Sequence, residues 1–246
     1  MNLKFVKDTL TIAALKSVPD FKRQPLMLAF LGLIGSLPVF FVVVFGGHLN
    51  YAIIGAIIGT VGLMGLMSAI QDIGWDRYVK IREIIVAMPV HPLSYALGVA
   101  LAPVLLTLPA LIFFTGLALL TGALTLASLL LAIPVMILCW ITLSTVGFVL
   151  STYLQRSSVY TLNNISNLLG LGLAFLPPVY YPEEILGNYR WIAMLFPTSN
   201  AAGLVRFYSG SLDASMISIA IRWLILVLTA IACAALTITK ARWREE

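Results

Sequence analysis

Apolar residues run in long blocks along this chain, and polar residues collect in the intervals between them. Six blocks stand out, at about residues 26–45, 51–70, 95–120, 124–150, 159–180 and 214–239. Each is long enough to cross, as a helix, a hydrocarbon layer of about 30 Å. A helix suits that solvent because it satisfies its own backbone hydrogen bonds where water is absent. A transmembrane barrel would instead alternate apolar and polar residues over segments of about ten, and no such alternation is present. The pattern predicts an all-α polytopic membrane protein with six transmembrane helices.

Composition agrees: 61% of the 246 residues are hydrophobic and only 10% are charged, against roughly 45–50% and 25% in soluble domains. The net charge of +5 raises nucleic acid as a partner, but no basic run with interleaved aromatics occurs, so none is expected. The basic residues report topology. With the N-terminus inside, Lys4, Lys7, Lys16, Lys22, Arg23, Arg77, Lys80, Arg82, Arg156, Lys240, Arg242 and Arg244 gather on the cytoplasmic side, against Arg190, Arg206 and Arg222 on the other. That bias predicts both termini in the cytoplasm and a multi-pass protein of the plasma (inner) membrane. Residues 1–25 space Leu3, Val6, Leu10, Ala13 and Ala14 at helical intervals among lysines, as in an amphipathic interfacial helix along the inner leaflet. They do not read as a cleaved signal peptide. Residues 26–246 form the six-helix transmembrane domain, and the "KARWREE" tail anchors its last helix with Trp243 at the interface.

Two connections are long. Residues 71–94 carry Asp72, Asp76, Arg77, Lys80, Arg82 and Glu83 around the apolar Ile73, Val79, Ile84 and Val86, before "MPVHP" interrupts the chain. A helix over 72–88 would have one apolar edge, which suits either a solvated surface loop or a docking helix for a soluble partner. On the outer side, residues 181–213 form a segment expected to fold into short helices that dip toward the membrane. The prolines at 177, 178 and 182 end the fifth span, and Tyr180, Tyr181, Tyr189 and Trp191 suit the headgroup level.

Polar and small residues inside the spans are the remaining pointers. Asn163 and Asn167 are four apart in "VYTLNNISNLLGLGLAF" and share a face that continues to Gly170 and Ala174. Such a stripe either packs against a helix or lines a pathway. Gly55, Gly59, Gly62 and Gly65 in the second span are read as a close helix-packing face. Arg222 is expected to snorkel outward, with pairing to Asp213 as the alternative. Cys139 and Cys233 fall inside spans and suggest neither a disulfide nor a metal site.

The two long segments resemble the membrane-spanning subunits of type-2 ABC transporters, which are mostly exporters. "WDRYVKIREIIVAMPVHPLSYALGVAL" is similar to that family's pattern of an acidic–basic pair, a short helix, a proline and the next span, with Ile81-Arg82 where Gly-Thr usually stands. "LPPVYYPEEILGNYRWIAMLFPTSNAAGLVR" is similar to its late signature, with Pro177-Pro178 where glycine is commoner. The resemblance implies that Asp76, Arg77, Lys80, Glu83, Met88 and Pro89 couple the chain to an ATPase subunit. It implies an extracellular signature of Pro178, Pro182, Pro197, Thr198 and Arg206. Asn163, Asn167 and Gly170 would then lie at a pathway or dimer interface.

No GxxxxGK[ST] loop, no HExxH and no intramembrane acid pair occurs, and His48 and His91 fall in loops on opposite sides. The chain is therefore expected to be no enzyme and to bind no cofactor or metal. ATP and magnesium would be held by a separate cytoplasmic ABC ATPase. The expected function is permease subunit of an ATP-driven exporter for a hydrophobic or amphipathic substrate (drug, lipid or lipid-linked glycan), working with a second permease copy in the lipid membrane. The alternative is a non-transporting membrane scaffold or assembly factor that recruits a soluble partner through its inner loop. An ion channel is disfavoured because no span carries a ring of charge.

Overall fold

A computed structural model describes residues 3–23, 39, 43, 47–79, 90–154 and 157–240, without the side chains of Asp20, Arg77, Pro92 and Lys240. The elements are α1 (Leu3–Arg23), α2 (Leu49–Tyr78), α3 (Pro92–Leu120), α4 (Leu126–Tyr153), α5 (Val159–Phe175), a 3-10 segment (Glu183–Tyr189), α6 (Arg190–Ala193), α7 (Pro197–Tyr208) and α8 (Met216–Lys240). No strand occurs among the described residues. Among the described residues four helices, α2, α3, α4 and α8, are long and apolar enough to cross a membrane, which makes this a helical membrane protein. The predicted block at 26–45 lies outside the described residues except for Val39 and Val43, and so do the 80–89 segment, Arg156 and the tail at 241–246.

Local chemistry explains where the helices begin. His91 Nδ1 accepts from Leu93 N at 3.2 Å with Pro92 just inside α3, the position where a missing N–H costs nothing. Thr125 and Ser128 form a reciprocal capping box at α4, and Ser158 accepts from Thr161 N at α5. The fifth element is shorter than its apolar block: α5 has 17 residues, about 26 Å at 1.5 Å per residue. It stops at Phe175, ahead of the proline pair at 177 and 178 that cannot donate into another turn. The second helix is longer than its block. Nothing in "QDIGWDRY" breaks a helix, so residues 72–78 prolong α2 instead of starting a separate surface helix.

α2 is the central element, packing against α3, α4, α5 and α7, while α8 lies on α4 and α7, and α1 lies along α3. Burial follows that order: 72% of the apolar window of α2 is covered, against 22% for α8. In the series α2, α3, α4, α5 and α8 each helix runs antiparallel to the one before. One end of the bundle, here the basic end, holds α1, the carboxyl end of α2 and the start of α3. The far end holds the start of α2 and the chain at 176–189 and 206–215. Because lipid tails are as apolar as leucine, the helices are held by close fit more than by the hydrophobic effect. Glycines on α2 supply the fit. A Cβ at Gly65 would lie 3.1 Å from Ser144 Oγ and 3.2 Å from Trp140 Cδ1 on α4, and one at Gly62 would lie 3.0 Å from Thr198 Cγ2 on α7.

Candidate functional site

At the basic end, Asp76 sits on the last turn of α2 and is buried. Its Oδ1 accepts from Lys16 Nζ at 2.7 Å and its Oδ2 from Tyr95 Oη at 2.5 Å. One carboxylate thus joins α1, α2 and α3. The helix α1 meets this hub with Thr9, Ile12, Ala13 and Ser17, which are buried, and a Cβ at Gly98 of α3 would come within 2.7 Å of Ile12. Leu3, Leu10, Leu15 and Val18 remain exposed on its opposite side. The sequence pattern placed Ala13 with Leu3 and Leu10 on one apolar edge; α1 instead carries two, and Ala13 belongs to the protein-facing one. Of the predicted coupling residues, Asp76 is committed to this internal hub. Arg77 is helical with its side chain outside the described residues, and Lys80, Glu83, Met88 and Pro89 lie outside them altogether.

Midway along the bundle, Leu162, Ser166, Gly170 and Ala174 form the buried stripe of α5. Gln71 Nε2 on α2 donates to Ser166 Oγ at 2.9 Å and to Asn167 Oδ1 at 3.3 Å. A Cβ at Gly170 would meet Met67 Sδ at 2.7 Å. Asn167 and Gly170 therefore both touch α2. Asn163 is half-buried on the flank, and its carbonyl accepts from Ser166 Oγ at 2.8 Å. The neighbouring Asn164, which the four-residue spacing passed over, is exposed on the side of Tyr160 and Leu168.

The far end is organised by Arg206 on α7, which is 1% exposed. The prolines keep residues 177–182 out of a helix, so their carbonyls need donors from elsewhere. Arg206 supplies them: Nη1 donates to Pro178 O at 3.0 Å and Tyr181 O at 3.3 Å, and Nη2 donates to Val179 O. Its Cζ lies 4.2 Å over the Tyr51 ring of α2, a cation–π contact that a desolvated guanidinium favours. The turn is pressed into α2 as well. A Cβ at Gly55 would sit 2.6 Å from Val179 O and 2.7 Å from Tyr180 Cδ1, and the Tyr180 hydroxyl lies against Gly59. Tyr180 is thus buried and not part of an interfacial belt, unlike Tyr189 and Trp191, which are exposed. Tyr181 is half-buried; its hydroxyl donates to Leu176 O at 2.5 Å and burial raises its pKa.

Every residue of α7 from Thr198 to Arg206 is buried. Ala201, Ala202 and Gly203 keep the helix thin enough to enter between α2, α4 and α8. Pro197 opens it, Thr198 Oγ1 donates to Leu173 O at 2.9 Å, and Asn200 Nδ2 donates to Met194 O at 2.7 Å. Thr198 touches Gly62, about halfway along the α2 span, so α7 is a re-entrant half-helix with its N-terminus deepest. The signature residues divide accordingly. Pro178 and Arg206 meet at the far end, Pro182 precedes the 3-10 segment, and Pro197 and Thr198 lie deep in the bundle.

Arg222 corrects an expectation. It neither snorkels nor pairs with Asp213: its side chain is 3% exposed, and Nη2 bonds Glu183 Oε2 at 2.5 Å. Its guanidinium lies on Gly203, where a Cβ would come within 2.9 Å of Cζ. Sequence reasoning missed Glu183 and Gly203 as its neighbours, because the first is 39 positions away and only the re-entry of α7 brings the second into reach. Among the described residues no group of His, Cys, Asp and Glu could hold a metal ion. No protein-family model matches the chain, and no curated protein matches it.

Proposed function

We propose that this chain is the transmembrane permease subunit of an ATP-driven ABC exporter, moving a hydrophobic or amphipathic substrate with energy from ATP hydrolysed by a separate subunit. The observation that carries the reading is the hub at Asp76. The charged end of α2 is continuous with the core helix of the bundle and is tied through Lys16 and Tyr95 to α1 and α3. A force applied at the carboxyl end of α2 would therefore reach the centre of the membrane domain along that helix. The absence of a phosphate-binding loop from the sequence is consistent with an ATPase on another chain. A second permease copy would meet the open face of α5, where Asn164 is exposed among apolar neighbours; an amide facing lipid alone is costly.

The test is affinity purification from mild detergent, identification of co-purifying chains, and an ATPase assay. A stoichiometric ATP-hydrolysing partner is expected, lost on charge reversal at Arg77, Lys80 and Glu83. Asp76 is left out of that variant because its carboxylate is spent inside the fold. A lone chain, or a partner that hydrolyses no ATP, would transfer the assignment to a membrane scaffold.

A further inference from the structure

Arg206 and Arg222 are both buried at the far end of the bundle, yet their situations differ. Arg206 uses its two terminal nitrogens on three carbonyls and leaves its Nε alone without a partner among the described residues. Arg222 has five N–H donors, as every guanidinium does, and makes one bond, to Glu183 Oε2. Among the described residues its Nε and Nη1 have no partner, and neither does Glu183 Oε1. A carboxylate and a guanidinium ordinarily meet through two parallel bonds, and a buried charge with unfilled donors is expensive. This pair meets through one prong and leaves donors on one side and an acceptor on the other unused. Arg206 stands one helical turn from Gly203, so two guanidiniums share this end of the bundle with Glu183 and the exposed Glu184.

We propose that Arg222 is the binding residue of an oxyanion site within the membrane domain, taking the phosphate or carboxylate of an anionic head group, with Glu183 as the internal carboxylate that the ligand displaces. Phosphate presents oxygens that fill Nε and Nη1 together, which the one-pronged Glu183 does not. The displacement is mechanically accessible. Glu183 opens the 3-10 segment Glu183–Tyr189, none of whose residues is buried, and which holds Gly187 at φ 52°. The segment can lift without emptying the core, whereas the floor of the site, Gly203 on α7, is locked inside the bundle. The site lies about two turns along α8, within reach of a lipid head group or of a small anion entering from the far end. The inference stands apart from the exporter reading and needs no ATPase.

The experiment uses the full chain in nanodiscs of phosphatidylcholine, with and without phosphatidylglycerol, and in detergent with inorganic phosphate. Anion binding is read from thermal unfolding and from lipid retained in native mass spectrometry. Wild type should be stabilised by the anion. Glu183→Gln, which removes the competing carboxylate, should bind about tenfold tighter, and Arg222→Gln about tenfold weaker, since a charge-assisted bond is worth roughly this factor. Stabilisation by phosphatidylglycerol alone identifies a lipid head group, and stabilisation by inorganic phosphate as well identifies a general oxyanion site; both support the proposal. No anion response in wild type and Glu183→Gln overturns it. A response to phosphatidylglycerol that neither substitution alters also overturns it, assigning the effect to the basic surface of α1. Should Arg222→Gln fail to fold, Glu183→Gln decides alone: unchanged affinity rejects the site.

Discussion

Individual residues in this protein matter through the room they leave as much as through the bonds they make. Gly55 is the clearest case, because the turn at Val179 and Tyr180 occupies the space of its missing side chain. Gly55→Ala should lower stability by about 1–3 kcal/mol, the usual cost of overpacking a core, read as a drop in thermal unfolding temperature in detergent. Gly172→Ala is the control: its nearest neighbour is 3.9 Å away, and alanine in a helix gains up to about 1 kcal/mol over glycine. Equal behaviour of the two variants would refute the close approach of the turn. The sequence marked the α2 glycines as a packing face, but a spacing rule cannot distinguish a neighbouring helix from an inserted tyrosine.

Among the elements, α1 is the one whose placement leans most on polar links, a short carboxylate hub and a longer bond from Ser94 Oγ to Phe5 O. Its protein-facing side contributes few large apolar groups, chiefly Ile12, so the Lys16–Asp76–Tyr95 hub carries much of its attachment. Asp76→Asn should cost about 1–3 kcal/mol, the penalty for stripping a partner from a buried bonded group. Amide hydrogen exchange should then speed up along α1 while α4 is unaffected; unchanged exchange in α1 would show that the hub does not hold it. The amphipathic character of residues 3–23 was legible from spacing alone. Which edge meets protein was not, because Asp76 is 60 positions from Lys16.

For the whole molecule, the antiparallel course of α2, α3, α4, α5 and α8 makes a sidedness prediction. Cysteines introduced at Lys7 and at Asn188, both exposed at opposite ends of the bundle, should be labelled by a membrane-impermeant maleimide from opposite sides. Labelling of both from one side would refute a bundle that crosses the membrane. The native thiols interfere little: Cys139 is buried and Cys233 is half-buried.

The sequence by itself determined the class of this protein, since runs of apolar residues of this length have no stable home but lipid. It also determined the caps and breaks, where proline, serine and threonine act on their own backbone neighbours. Tertiary structure alone decided what the polar residues inside the bundle do. Lys16 with Asp76, Gln71 with Ser166, Arg206 with the proline turn, and Arg222 with Glu183 are each 25 or more positions apart. Periodicity reports the solvent a residue prefers, and in a low-dielectric interior a charge takes whichever partner the packing of helices delivers to it.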